Sequence, residues 1–184
     1  MIKVFVGGSR HISRLNAQVR KRLDNIIQKE LPVLIGDANG ADKAIQQYLH
    51  SQDYRNVEVF CSGGLCRNNL GQWEVRIVPA ETRERNFQFY STKDRVMAQE
   101  ATVGFMMWDG KSIGTLLNVL RLLSQQKKVV IYIVPEKRFL ELKSGAEWGA
   151  FIDHYDIKLR HRVEQRATLE TPERRSPAQV SLSL

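Results

Sequence analysis

The stretch "FMMWDGKSIGTLLNVLRLL" (residues 105–123) joins an apolar run to a Leu-rich helical pattern through Trp108-Asp109-Gly110-Lys111-Ser112-Ile113-Gly114-Thr115. A loop that only turned the chain would need a turn residue and a helix cap, and Ser112 suits the cap. This loop adds a lysine, a second hydroxyl and two glycines where a helix presents its unpaired N–H groups, the place where proteins hold anions. The stretch reads as strand, anion-holding loop and helix.

The same unit recurs on both sides of it. "IKVFVG" (2–7), "PVLIG" (32–36), "VEVFC" (57–61) and "KVVIYIV" (128–134) are short apolar, β-branched runs of the kind that parallel strands buried on both faces require. "WEVRIV" (73–78) reads as a further strand. Between them, Leu15, Val19, Leu23, Ile26 and Ile27 recur at helical spacing behind Ser13 as N-cap, and Ala41, Ala44, Ile45, Tyr48 and Leu49 do so after "DANGAD". A long helix is expected from about Glu84 to Ala101, and short helices over 136–154. Alternating strands and helices predict an α/β, three-layer Rossmann-like fold, a mostly parallel sheet with helices on both faces. Residues 1–155 form that domain, and 156–184, basic and poor in apolar residues, read as a largely mobile C-terminal tail.

Composition narrows the class. A formal net charge of +8 permits an anionic partner, and nucleic acid is compatible with it. No run approaches the ~20 apolar residues of a membrane span, so no membrane partner is expected, and the start lacks a signal-peptide layout. Cys61 and Cys66, in "CSGGLC", have no His nearby and read as a reduced pair without metal; a cytoplasmic location follows from that reading. A homo-oligomer is compatible with this composition.

In open parallel sheets, ligands sit beyond the carboxyl ends of the strands. Three glycine-bearing loops fall there: "GGSR" (7–10), "GDANGAD" (36–42) and "WDGKSIGT" (108–115). Gly7 and Gly8 admit close backbone approach. Arg10 offers bidentate hydrogen bonds to phosphate or carboxylate, or pairs with Asp37. Asp42, inside the first turn of its helix, reads as a cap or as a complement to the helix dipole. Trp108 suits core packing, with base stacking as the alternative. His11 lies beside Arg10.

"VFVGGSR" followed by "LIGDANGADKAI" resembles the paired motifs of the SLOG superfamily of Rossmann-like domains, which includes DNA-processing protein A and the Lonely guy phosphoribohydrolases. "RNFQFYSTKDRVMAQEATVGFMMWDGKSIGT" resembles that superfamily's helix, strand and phosphate loop, and the likeness spans roughly 2–135. It implies binding of a nucleotide or nucleotide-derived sugar phosphate, with no required cofactor and no metal, by Gly7, Gly8, Ser9, Arg10, Gly36, Asp37, Gly40, Lys93, Asp94, Asp109, Gly110, Lys111, Ser112, Gly114 and Thr115. Arg85 is a secondary phosphate candidate. The likeness also implies two alternatives: a sensor or an enzyme acting on an N-glycosidic bond, and a single-stranded nucleic-acid binder. The phosphoribohydrolases carry P-G-G-x-G-T-x-x-E, and Asn118 stands here in place of the glutamate. An amide cannot perform that residue's proton or charge chemistry, so the hydrolase mechanism does not carry over.

Asp94 is the candidate catalytic carboxylate, with a structural tether or a ligand contact as its alternative roles and Asp109 and Asp37 as the other carboxylates available to a glycosidic-bond enzyme. Asp94 shares a helical face with Phe87, Tyr90, Met97, Ala98 and Ala101, where a carboxylate is costly unless it is paired. It is expected to point at the loops and meet their N–H groups, Lys111, Arg10 or a ribose.

Overall fold

The computed structural model describes residues 1–79 and 87–170. In chain order the elements are β1 (Val4–Gly8), α1 (Ala17–Gln28), β2 (Val33–Gly36), α2 (Ala41–Ser51), β3 (Val57–Ser62) and β4 (Glu74–Val78). Then follow α3 (Phe87–Glu100), β5 (Val103–Trp108), α4 (Ile113–Leu123), β6 (Lys128–Ile133), β7 (Arg138–Leu142), α5 (Gly145–Ile152) and α6 (Ile157–Glu170).

Strand order is β4-β3-β2-β1-β5-β6-β7, with the first six strands parallel and β7 antiparallel to β6. Alternate side chains enter two cores because successive residues of a strand face opposite sides. Phe5, Leu34, Phe60, Met106 and Ile131 pack with residues of α3, α4, α5 and α6. Val4, Val6, Val33, Ile35, Val59 and Met107 pack with α1 and α2. The expected three-layer α/β architecture is the observed one.

The topology places the site. From β1 the chain steps outward through β2, β3 and β4, then returns across the sheet to β5 on the other side of β1. The loops leaving β1 and β5 therefore diverge, and their carboxyl ends border a switch-point crevice.

Four local expectations are corrected. Helix α1 is capped by Asn16 rather than Ser13: its side chain accepts the Val19 N–H at 2.9 Å and donates to the Tyr132 hydroxyl. "RFLEL" (138–142) is a strand, not part of a helix, because the turn after β6 folds it back into register with Val129–Ile133. The stretch assigned to the tail is helical through Glu170, since Leu159, Val163 and Ala167 recur every four residues and pack on the α4 side of the core. Residues 171–184 of that proposed tail lie outside the described residues. Finally, Cys61 and Cys66 are joined as a disulfide, with Cα atoms 5.2 Å apart, where a reduced pair was expected. Among the described residues no helix is long and apolar enough to cross a membrane.

Candidate functional site

Glycines bring the loops together. A Cβ on Gly8 would overlap the Met107 carbonyl of β5, so its absence lets β1 and β5 pair to their ends. Gly40 has φ +83°, and a Cβ there would overlap the backbone of Arg10. This close approach lets the Ala41 N–H reach the Ser9 carbonyl at 3.0 Å, fastening the loop after β2 to the loop after β1.

The third loop is tied in by Ser9. This fully buried residue donates its hydroxyl to Asp109 Oδ2 at 2.8 Å, bridging the ends of β1 and β5. Asp109 Oδ1 accepts the N–H groups of Lys111 at 3.0 Å and Ser112 at 2.8 Å, with Gly110 at φ +82° making the turn. Burial pushes the Asp109 carboxyl up, but the Ser112 amide, the Ser9 hydroxyl and the Lys111 amide together hold it below the usual range. Ser112 caps α4, its Oγ accepting the Thr115 N–H at 3.4 Å and the Thr115 hydroxyl at 3.0 Å.

The loop's N–H groups are divided between internal and open roles. Two of its N–H groups serve Asp109 and a third serves Ser112. Those of Ile113 and Gly114 have no acceptor among the described residues. Both residues line a cavity, and among the described residues nothing lies within 4 Å of a Cβ built on Gly114.

A cavity of about 930 Å³ opens over these groups. Of the residues expected to bind ligand, Gly7, Gly8, Ser9, Arg10, Lys93, Asp94, Asp109, Lys111, Ser112, Gly114 and Thr115 line it, and His11 does too. Gly36, Asp37, Gly40 and Gly110 do not; the last two shape the loops, and Asp37 is engaged elsewhere. Arg85 lies outside the described residues. Trp108 is fully buried against Tyr155, ring centroids 4.8 Å apart, and its indole N–H donates to the Ser112 carbonyl at 3.1 Å. It holds the loop from behind and has no face for a base.

Arg10 does not pair with Asp37. Arg67 does, through its Nη2 at 2.7 Å, its Nε at 3.1 Å and its own backbone N–H at 3.0 Å. Burial raises the Asp37 carboxyl, and these Arg67 contacts, with the nearby Lys93 charge, bring it below its ordinary value. Arg10 and Lys111 are exposed and have no ion-pair partner among the described residues, which leaves both charges to the cavity mouth.

Asp94 lines the cavity as expected, but its partners differ. Its carboxylate meets Lys93 Nζ at 2.7 Å, Asn118 Nδ2 at 3.4 Å and Arg121 Nη1 at 3.7 Å, not Lys111 or Arg10. Lys93 is almost fully buried; burial lowers its ammonium, but Asp94, Asp42 and Asp37 together raise it above its ordinary value, so it stays charged.

Several lining residues escaped the sequence reading. Asp42, read as a cap, is buried and faces the cavity. Arg67 stacks on Tyr90 at 4.6 Å, and Arg166 of α6 stacks on Phe87 at 4.6 Å. Arg162 and Arg166 come from the presumed tail and add positive charge to the cavity. Their i,i+4 spacing beside the Leu159-Val163-Ala167 stripe is the signal that would have found them. Among the described residues no cluster of His, Cys, Asp or Glu could hold a metal ion.

A mostly parallel sheet, covered on both faces and carrying this crevice between β1 and β5, defines a Rossmann-like α/β protein. The chain is similar in structure to DNA processing protein A from Helicobacter pylori, with TM-score 0.56 and 13% identity over 91% of this chain and 80% of that one. That structure was described for its single-stranded DNA binding mode. No protein-family profile matches the chain, and no curated protein matches it significantly.

Proposed function

We propose that the crevice binds a nucleotide or nucleotide-derived sugar phosphate, as a member of the SLOG group. The observation that carries this reading is the unengaged pair of N–H groups on Ile113 and Gly114. They lie at the positive end of α4, in one cavity with Arg10, Lys111, Arg162 and Arg166. The loops are held in place without ligand by Ser9, Asp109 and Gly40, so little ordering cost opposes binding.

Binding without glycosidic cleavage is the form that the site favours. Asn118 supplies no carboxylate, and Asp94 is engaged by Lys93, Arg121 and Asn118. Single-stranded nucleic acid is the competing ligand, supported by the +8 charge and the fold it shares with DNA processing protein A. Against it, Tyr90 and Phe87 are covered by arginines rather than open as stacking platforms.

Thermal shift with nucleoside mono- and diphosphates, ADP-ribose and sugar phosphates tests the proposal. At about 100 times its dissociation constant, a true ligand stabilises the fold by about 2.7 kcal/mol, a rise of roughly 5–10 °C. Gly114→Val leaves a folded domain, since space is free there, and abolishes that rise. No shift with any of these compounds, alongside tight oligonucleotide binding at physiological salt, would transfer the function to nucleic acid. Free base released by the parent, and lost in Asp94→Asn, would make the protein an enzyme.

A further inference from the structure

Two buried groups on the inner wall of the cavity have hydrogen-bonding capacity that the fold does not use. Asp42 is 7% exposed, and its Oδ2 accepts the Ala38 N–H at 3.2 Å. Among the described residues nothing donates to its Oδ1. Lys93 is 4% exposed and gives one N–H to Asp94 Oδ1 at 2.7 Å; among the described residues nothing accepts the other two. Both line the cavity, and both lean over Gly36: a Cβ there would stand 2.5 Å from Asp42 Oδ2 and 2.5 Å from Lys93 Nζ. The missing side chain at residue 36 is what admits them side by side.

Buried polar groups are almost always satisfied, so spare capacity on a cavity wall marks the place of a ligand's polar atoms. The ligand atoms here must both donate, to Asp42, and accept, from Lys93. A phosphate only accepts and would face Asp42 and Asp94 as well as Lys93. A base amino group only donates. A pair of hydroxyls does both.

We infer that Asp42 and Lys93 form a hydroxyl-reading subsite, which makes the ligand a ribose-bearing phosphate with free sugar hydroxyls rather than a deoxyribose-bearing one. The inference rests on the proposed phosphate site at α4: the phosphate is held at the mouth, and the sugar's hydroxyls are read at the inner wall. A DNA strand, lacking the 2′-hydroxyl and using its 3′-hydroxyl in the chain, fits this wall poorly.

The test is titration calorimetry of the full chain with AMP, GMP, CMP and UMP, their 2′-deoxy counterparts, and ribose 5-phosphate. A hydrogen bond to a charged group predicts that any ribonucleotide that binds does so about 10- to 100-fold more tightly than its deoxy form. In Asp42→Asn, the Ala38 N–H holds the amide oxygen where Oδ2 was, which puts an NH₂ donor in place of Oδ1. The preference then falls toward 1, because the sugar hydroxyl loses its charged acceptor. Measurable binding of ribose 5-phosphate assigns the contact to the sugar, and its absence while nucleotides bind would assign it to the base and overturn the inference. Equal affinity for ribo and deoxy forms would overturn it while leaving the phosphate site standing, as would a preference that survives in Asp42→Asn. Failure of every nucleotide and of ribose 5-phosphate to bind would overturn both.

Discussion

Gly40→Ala is expected to cost about 3 kcal/mol or more of folding stability, and Gly114→Ala almost nothing. Both glycines belong to loops that read alike in the sequence, yet their surroundings differ. At Gly40, φ +83° and ψ −126° form a backbone conformation that side chains rarely adopt, with a cost of about 1–3 kcal/mol. The added Cβ would also overlap the Arg10 backbone, and overpacking adds about 1–3 kcal/mol more. Because the contact is with main chain, no rotamer change relieves it; the loop carrying Arg10 must move, so ligand affinity falls with stability. At Gly114 a methyl meets nothing within 4 Å among the described residues and improves helix propensity by up to about 1 kcal/mol. Urea denaturation of the two variants reads the difference directly. Equal stabilities would mean that the loop after β2 is not fastened against the loop after β1.

Asp42→Asn is expected to stabilise the protein at pH 8 and to leave it unchanged at pH 4. Burial pushes the Asp42 carboxyl up from 3.8 to about 6, the Lys93 charge opposing and the Asp94 and Asp37 charges adding to the rise. Among the described residues the Ala38 N–H is the one hydrogen bond that favours its ionised form. A carboxyl raised in the folded state holds its proton longer there than in the unfolded chain. Its favourable contribution is complete below 3.8 and is lost as pH rises through about 6. The interval between those values corresponds to about 3 kcal/mol, the upper bound on the gain from an amide that has no charge to bury. Asp37 and Asp109 shift the other way and lose stability in acid, but they do so in parent and variant alike. A variant less stable than the parent at pH 8 would mean that Asp42 holds the fold together rather than waiting for a ligand. A gain in stability on removing a buried charge is what a residue kept for function, at the expense of stability, should show.

What the sequence made legible was whatever is local. An apolar run that ends in glycine and leads into an amphipathic stripe needs no distant partner to be recognised, so β1, β2, β5 and β6 and the gathering of three loops could be read from single segments. Asp94 facing the crevice followed from helical spacing alone. Its partners did not, because Asn118 and Arg121 belong to another helix whose rotation no local pattern fixes. Arg67 was invisible for the same reason: it reaches Asp37 across 30 residues from within a loop without periodicity. Ser13 has the right chemistry for a cap, but Asn16 also reaches Tyr132 on β6, and that tertiary contact sets where α1 begins. In α6 the signal was present and was masked by charge. Leu159, Val163 and Ala167 mark one face, while the arginines between them gave the stretch the composition of a tail. Asp42 does accept a backbone N–H, that of Ala38, but its burial on the cavity wall beside Lys93 was not legible, because an acid in the first turn of a helix already has an ordinary explanation.

The central claim, that a phosphate is held at the start of α4, is tested most directly by amide chemical-shift mapping of the ¹⁵N-labelled protein titrated with AMP and ADP-ribose. The amides of Ile113 and Gly114, which have no acceptor among the described residues, are expected to show the largest saturable shifts. Those of Lys111 and Ser112, already engaged by Asp109, should move less. Saturable binding that leaves Ile113 and Gly114 unmoved would contradict it, as would the absence of any shift at millimolar ligand.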